Sequence, residues 1–205
     1  MANRDYSLDD KIVTAAFQEF LENGFEKASL RKIAANAGVT IGAIHTRWRT
    51  KDLLFASLIE PLLLDIQTAF QAIKKDYFGS HPDFSPEHML DAKQKESEII
   101  LHLLFDHYDQ AVLLLCRSTG SHLENCFDQI VERKIEESAV FFEQSDFPHP
   151  DKGLLSLLIH SEFHMYFQII EGGYDLNTAK KMMDAAMIYH TGGWLSLFQS
   201  YSHEQ

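Results

Sequence analysis

Apolar residues recur along this chain at spacings of three and four, with no sustained period-two alternation, so the pattern predicts helices throughout and an all-α fold. The first helix is expected from Ser7, as N-cap, to Asn23-Gly24, with Ile12, Ala15, Ala16, Phe20 and Leu21 near one face and Gly24 stopping it. Ser29 is placed to cap a second helix that turns Leu30, Ile33 and Ala34 inward and ends at Asn36-Ala37-Gly38. Thr40 then caps a short third helix reaching Trp48, with Ile33, Ile44 and Trp48 at core spacing. Longer helices follow. Asp52 to Lys75 forms one, interrupted by Pro61, which cannot donate to the Ser57 carbonyl and kinks the helix there. After a loop through Gly79, Pro82 and Pro86, helical segments are expected at 87–108, 111–116 and 121–144. Phe147-Pro148-His149-Pro150 breaks the pattern. The penultimate helix runs from Lys152 to Glu171 and ends at Gly172-Gly173, and Asn177 or Thr178 caps the last, which reaches Ser200.

Charge changes this picture at one place. Residues 27–51 carry six Lys or Arg and no Asp or Glu, whereas the chain as a whole has a formal net charge of −12. Eight cations against six anions put residues 1–51 at +2, which leaves −14 for residues 52–205. A basic island in an acidic protein implies a polyanionic partner for that segment alone. The island coincides with two short helices around a glycine-containing turn. In such a helix-turn-helix the second helix enters the DNA major groove while the first crosses the phosphate backbone.

The stretch FEKASLRKIAANAGVTIGAIH, residues 25–45, followed by Trp48 and by Lys51-Asp52-Leu53-Leu54, resembles the DNA-binding domain of the TetR family of transcriptional regulators. The resemblance implies a three-helix DNA-binding domain at 1–51 and a larger helical effector-binding and dimerisation domain at 52–205. Its implied partners are a double-stranded DNA operator, an unknown small-molecule effector and a second copy of the chain, and the function it implies is that of a ligand-responsive repressor. Transferred onto this sequence, Ser29 and Thr40 cap their helices and offer hydroxyls and N–H groups to phosphates, as the helix dipole also favours. Arg31 matches a position that reaches a guanine edge. Ile41, Gly42, Ala43 and His45 match groove-facing positions, where Gly42 permits close approach and the apolar side chains meet a thymine methyl. Arg47 and Lys51 match backbone clamps. The chain departs from the family where Tyr is usual, at His45, where Tyr or His is frequent, at Arg47, and at Trp48, where Phe is usual. Arg4 precedes the first helix as a possible arm in a tail expected to be disordered.

The last two helices are the expected dimer surface. Leu154 to Ile170 is apolar around most of its circumference, and Gly192-Gly193 inside the final helix calls for close helix approach as compensation for glycine's poor helix propensity. Side chains with an apolar body and a polar tip, together with neighbouring aromatics, make His102, Phe105, Tyr108, Arg117, His122, Phe163, His164, Tyr166 and Phe167 the candidate effector-lining residues. His160 and His164 have an i, i+4 spacing that suits a metal, with His107, His102 or Glu162 to complete it, although histidines in helical cores and on surfaces are far commoner than ligands, and no metal or cofactor is expected. Cys116 and Cys126 fit reduced thiols. No Ser-His-Asp order, nucleophile elbow, phosphate loop or dinucleotide fingerprint is present, so an enzyme is not expected. The N-terminus lacks the pattern of a signal peptide and no uninterrupted apolar run reaches the roughly 20 residues of a membrane span, so a cytoplasmic protein without a membrane partner is expected. A second function class is a helical small-molecule or metal-binding protein whose basic end docks an acidic protein partner.

Overall fold

The computed structural model describes residues 6–77, 86–143 and 150–202, and those residues contain helices and turns with no strand. The helices are α1 (Tyr6–Lys27), α2 (Leu30–Ala37), α3 (Ile41–Arg47), α4 (Lys51–Tyr77), α5 (Pro86–Asp106), α6 (Tyr108–Cys116), α7 (Cys126–Glu143), α8 (Lys152–Glu171) and α9 (Leu176–Ser202). Arg4 and the N-terminal tail, the expected loop at Gly79 and Pro82, and the break at 147–149 lie outside the described residues.

Two compact units result. One consists of Met1–Leu64 with His107–Phe127, the other of Asp65–Asp106 with Asp128–Gln205. The first unit extends past residue 51 because Leu54, Phe55, Leu58, Ile59 and Leu62 of α4 are buried in it. Phe55 meets Phe20 at 5.0 Å and Phe25 at 5.2 Å, both edge-on, an arrangement that adds electrostatic to dispersion attraction. α6 packs on α1 in the same unit, burying Ala111, Leu113 and Leu114.

Several boundaries differ from the sequence pattern for local reasons. Ser7 lies inside α1, which starts at Tyr6, and the chain kinks at Gly24, whose φ of 69° is open to glycine at little steric cost. Pro61 is exposed within α4, and the helix continues through it to Tyr77. α7 starts at Cys126 rather than Ser121, because 118–125 fold into turns with Ser121 N–H bonded to the Ser118 carbonyl and Cys126 N–H to that of Leu123. Asp175, not Asn177 or Thr178, caps α9, its carboxylate accepting from the Thr178 N–H at 3.0 Å and the Thr178 hydroxyl at 2.8 Å. α4 over Lys51–Ile73 is long and apolar enough to cross a membrane by composition, with mean hydropathy 1.5, although Asp52, Glu60 and Asp65 interrupt its apolar run. Leu54, Phe55, Leu58, Ile59 and Leu62 form its buried stripe.

The second unit is built on α5 against α9 and α8 against α9. Asp151 caps α8 through the N–H groups of Gly153 and Leu154. α8 buries Leu155, Ile159, Phe163, Tyr166, Ile169 and Ile170, and the ring of Phe142 stacks on Trp194 of α9 at 6.3 Å.

This unit also buries an ion cluster that the sequence pattern does not announce. Lys93 of α5 donates to Glu162 of α8 at 2.8 Å and to Glu96 at 3.2 Å, and Lys134 of α7 donates to the other oxygen of Glu96 at 2.6 Å. Burial alone would raise the Glu96 carboxyl, but the ammonium groups of Lys93 and Lys134 outweigh it and hold that carboxyl at about 2. Burial works equally against the Lys93 ammonium, and Glu162 and Glu96 overcome it to hold Lys93 above the usual lysine range. Tyr166 beside them, bonded to Ser97, is pushed up by burial and by the same two carboxylates.

Candidate nucleic-acid interface

α2 and α3 are held by the turn between them. Gly38 ends α2 in the left-handed region, φ 66°, and the Val39 N–H returns to the Ala34 carbonyl at 2.9 Å. Thr40 then starts α3, its hydroxyl oxygen accepting from the Ala43 N–H at 3.1 Å. Ile33 and Ile44 are fully buried, which fixes the two helices against the core, and Trp48 is half-buried at the end of α3.

With that face inward, Arg31, Thr40, Gly42 and His45 are exposed, while Ser29, Ile41 and Ala43 are half-buried. A Cβ on Gly42 would meet only the Thr40 hydroxyl, at 3.7 Å, an ordinary contact. Nothing inside the fold requires glycine there. Ser29 is at the N-cap of α2 but its side chain makes no capping bond; its own N–H is taken by the buried carboxylate of Glu19 at 3.0 Å.

The two expected clamps are engaged elsewhere. Lys51 Nζ donates to the carbonyls of Phe25 at 2.7 Å, Glu26 at 3.1 Å and Ala28 at 3.2 Å, and lies 4.5 Å from the Phe25 ring centroid. An ammonium has three donors, and all three go to the end of α1. Arg47 pairs through Nε with Asp9 of α1 and reaches the Ala43 carbonyl with Nη1 at 3.3 Å. Arg47 fastens α3 to α1, and Lys51 fastens the start of α4 to the residues that end α1. Lys32 on α2 and Arg49 after α3 are further exposed cations that the sequence pattern does not single out. Their place in the acid-free stretch was the available signal.

Lys51→Met keeps the stem and removes the donors. It is expected to lower stability by about 2 kcal/mol, the order for charge-assisted bonds in a half-buried site. Urea unfolding measures this, and an unchanged midpoint would show that the three bonds contribute nothing net.

The nine expected effector-lining residues are divided between the two units. Tyr108, Arg117 and His122 belong to the first unit, where the Arg117 carbonyl accepts from the Phe25 N–H at 2.8 Å. His122 bonds Asp52 at the start of α4 through its backbone N–H, at 3.1 Å, and through Nδ1. His102, Phe105, Phe163, His164, Tyr166 and Phe167 belong to the second unit, with Phe163 and Tyr166 buried and Phe163 6.4 Å from Phe70. His102 and His164 are exposed; His164 stacks on Phe167 at 5.3 Å, and His160 faces Glu132 at 3.3 Å. Among the described residues no three His, Cys, Asp or Glu side chains converge to hold a metal.

Residues 12–58 match the family described as "Bacterial regulatory proteins, tetR family". This segment is a TetR-family domain. No curated protein matches the chain significantly. Among solved structures, a TetR-like transcriptional regulator from Rhodococcus sp. RHA1 is 19% identical over 91% of this chain and 96% of its own, with TM-score 0.62. NalD of Pseudomonas aeruginosa, the secondary repressor of the MexAB-OprM multidrug efflux pump, is 21% identical over 90% and 95%, with TM-score 0.61. FadR of Bacillus subtilis, in complex with stearoyl-CoA, is 17% identical over 87% and 97%, with TM-score 0.54. The likeness spans both units, so the helices that follow the TetR-family segment also have the fold of these regulators.

Proposed function

We propose that this protein is a ligand-responsive transcriptional repressor that binds a pseudo-palindromic DNA operator as a homodimer and is released from it by a small molecule. The observation that carries this reading is the helix-turn-helix of a TetR-family domain whose outward face holds Arg31, Thr40, Gly42 and His45 in an acid-free stretch with six Lys or Arg, within an acidic chain. On this reading α3 is the recognition helix, Arg31, Ile41, Ala43 and His45 meet base edges, and Ser29, Thr40, Lys32 and Arg49 meet phosphates. Arg47 and Lys51 position the motif. The effector enters the second unit among Phe105, Phe163, Tyr166 and Phe167, in line with the acyl-CoA held by FadR and with the drug-efflux control exercised by NalD.

The dimer forms through α8 and α9. Exposed Leu157, Met182, Ile188 and Tyr189 are large apolar groups in need of cover. A Cβ on Gly192 or Gly193 would meet nothing within 4 Å, so close packing inside one chain is not what these glycines serve, and a second copy is their natural neighbour. A repressor of this kind acts in the cytoplasm and needs no catalytic group.

Selection from a random duplex library is expected to return a palindrome whose half-sites lie one helical turn apart, about 34–36 Å. The logarithm of affinity is expected to fall linearly with that of salt, with a slope of about −0.9 per phosphate neutralised. Absence of any consensus, with binding indifferent to salt, would favour an acidic protein partner instead.

A further inference from the structure

His45 is the one exposed ring on α3, and a backbone carbonyl dictates its chemistry. Its Nδ1 lies 3.2 Å from the carbonyl oxygen of Arg49. That carbonyl is fixed from both sides. Before it, the Trp48 N–H is bonded to the Ile44 carbonyl at 2.8 Å. After it, Thr50 caps α4 by accepting the Leu53 N–H on its hydroxyl at 3.1 Å and the Leu54 N–H on its carbonyl at 3.2 Å. A carbonyl oxygen only accepts, so Nδ1 carries the proton of this bond. In the uncharged imidazole the proton on Nδ1 leaves Nε2 with a bare lone pair. His45 therefore presents a hydrogen-bond acceptor, in one orientation, from the exposed side of the recognition helix.

We infer that His45 is a specificity-determining residue that selects a base bearing a major-groove amino group, adenine through N6 or cytosine through N4, at one position of each half-site. Guanine and thymine offer acceptors at the corresponding edge, O6 and O4, and an acceptor facing an acceptor is rejected. A phosphate is rejected on the same ground. The tyrosine usual at this position has a hydroxyl that both donates and accepts, so the change to histidine narrows the choice. The inference rests on the assignment of α3 as recognition helix, and its test separates the two.

The experiment is duplex selection at pH 8 with the full-length protein and with His45→Ala and His45→Lys. The wild-type consensus is expected to hold adenine or cytosine at one position per half-site. His45→Ala is expected to lose that preference alone while keeping the salt slope, and His45→Lys, a donor only, to move it to guanine. Replacing the selected base by its analogue without the amino group, purine for adenine or 2-pyrimidinone for cytosine, is expected to weaken wild-type binding about tenfold and His45→Ala binding not at all. Guanine or thymine at that position in the wild-type consensus, or an unchanged consensus for His45→Ala, overturns the inference with DNA binding intact. A salt slope shallower by about one unit for His45→Ala overturns it too, since the residue would then contact a phosphate. If no duplex is selected, α3 is not a recognition helix and both readings fall.

Discussion

Glu96→Gln is expected to destabilise the second unit by about 3 kcal/mol at neutral pH, and the loss is expected to shrink by about half at pH 3. The side chain is 7% exposed as a residue, and its two carboxylate oxygens hold one lysine each. The amide keeps the shape but removes the charge that balances Lys93 and Lys134, leaving two buried ammonium groups facing one remaining carboxylate, Glu162. Breaking a buried ionic network by removing one partner costs about 3–5 kcal/mol, far more than the pairs contribute net over an apolar core. The sign with pH follows from the depressed carboxyl, about 2 when folded against 4.5 as the ordinary value. A carboxyl lowered by folding stabilises fully above the ordinary value, and that contribution is lost as pH falls from there toward the folded one. Urea unfolding of both proteins at pH 7 and pH 3, followed by helical circular dichroism, measures it. A gap between variant and wild type that stays constant with pH would mean that packing, not charge, makes Glu96 matter.

Tyr189→Lys together with Gly192→Lys is expected to turn the proposed dimer into monomers and to weaken operator binding about a thousandfold, because two half-sites held by one linked molecule gain that order of avidity. Tyr189 is 79% exposed in the single chain, and a Cβ on Gly192 meets open space, so neither change disturbs the chain's own core. Two lysines per copy would face their counterparts across a two-fold axis, where like charges repel. Light scattering after size exclusion reports the assembly and fluorescence anisotropy on a labelled duplex the affinity. A dimer of unchanged affinity would place the interface elsewhere than on α9.

The helix-turn-helix is legible in the sequence because its determinants are local. Gly38, Thr40 and the apolar spacing of Ile33 and Ile44 act within a few residues, and each does in the structure what its spacing predicts. The same holds for Gly172 at the end of α8. What the pattern does not reveal is long-range pairing. Arg47 and Lys51 look like phosphate clamps until Asp9 and the carbonyls of Phe25, Glu26 and Ala28 are brought beside them. Lys93 and Glu162 are 69 positions apart, and only the Lys93–Glu96 step of the cluster has a helical spacing that sequence displays. The candidate effector residues range from buried Phe163 and Tyr166 to exposed His102, Arg117, His122 and His164, because an apolar body with a polar tip does not fix a side chain's burial.

The segment His107–Phe127 belongs with α1 although the chain reaches it only after α5. This makes the DNA-binding unit a discontinuous inheritance. Recombination that exchanges everything after residue 64 for the corresponding part of another regulator would remove α6, uncover the side of α1 on which it packs, and leave the Phe25 N–H without the Arg117 carbonyl. A working chimera needs three seams, at 64/65, 106/107 and 127/128. Sensors and readers of this architecture are therefore not exchanged as beads on a string.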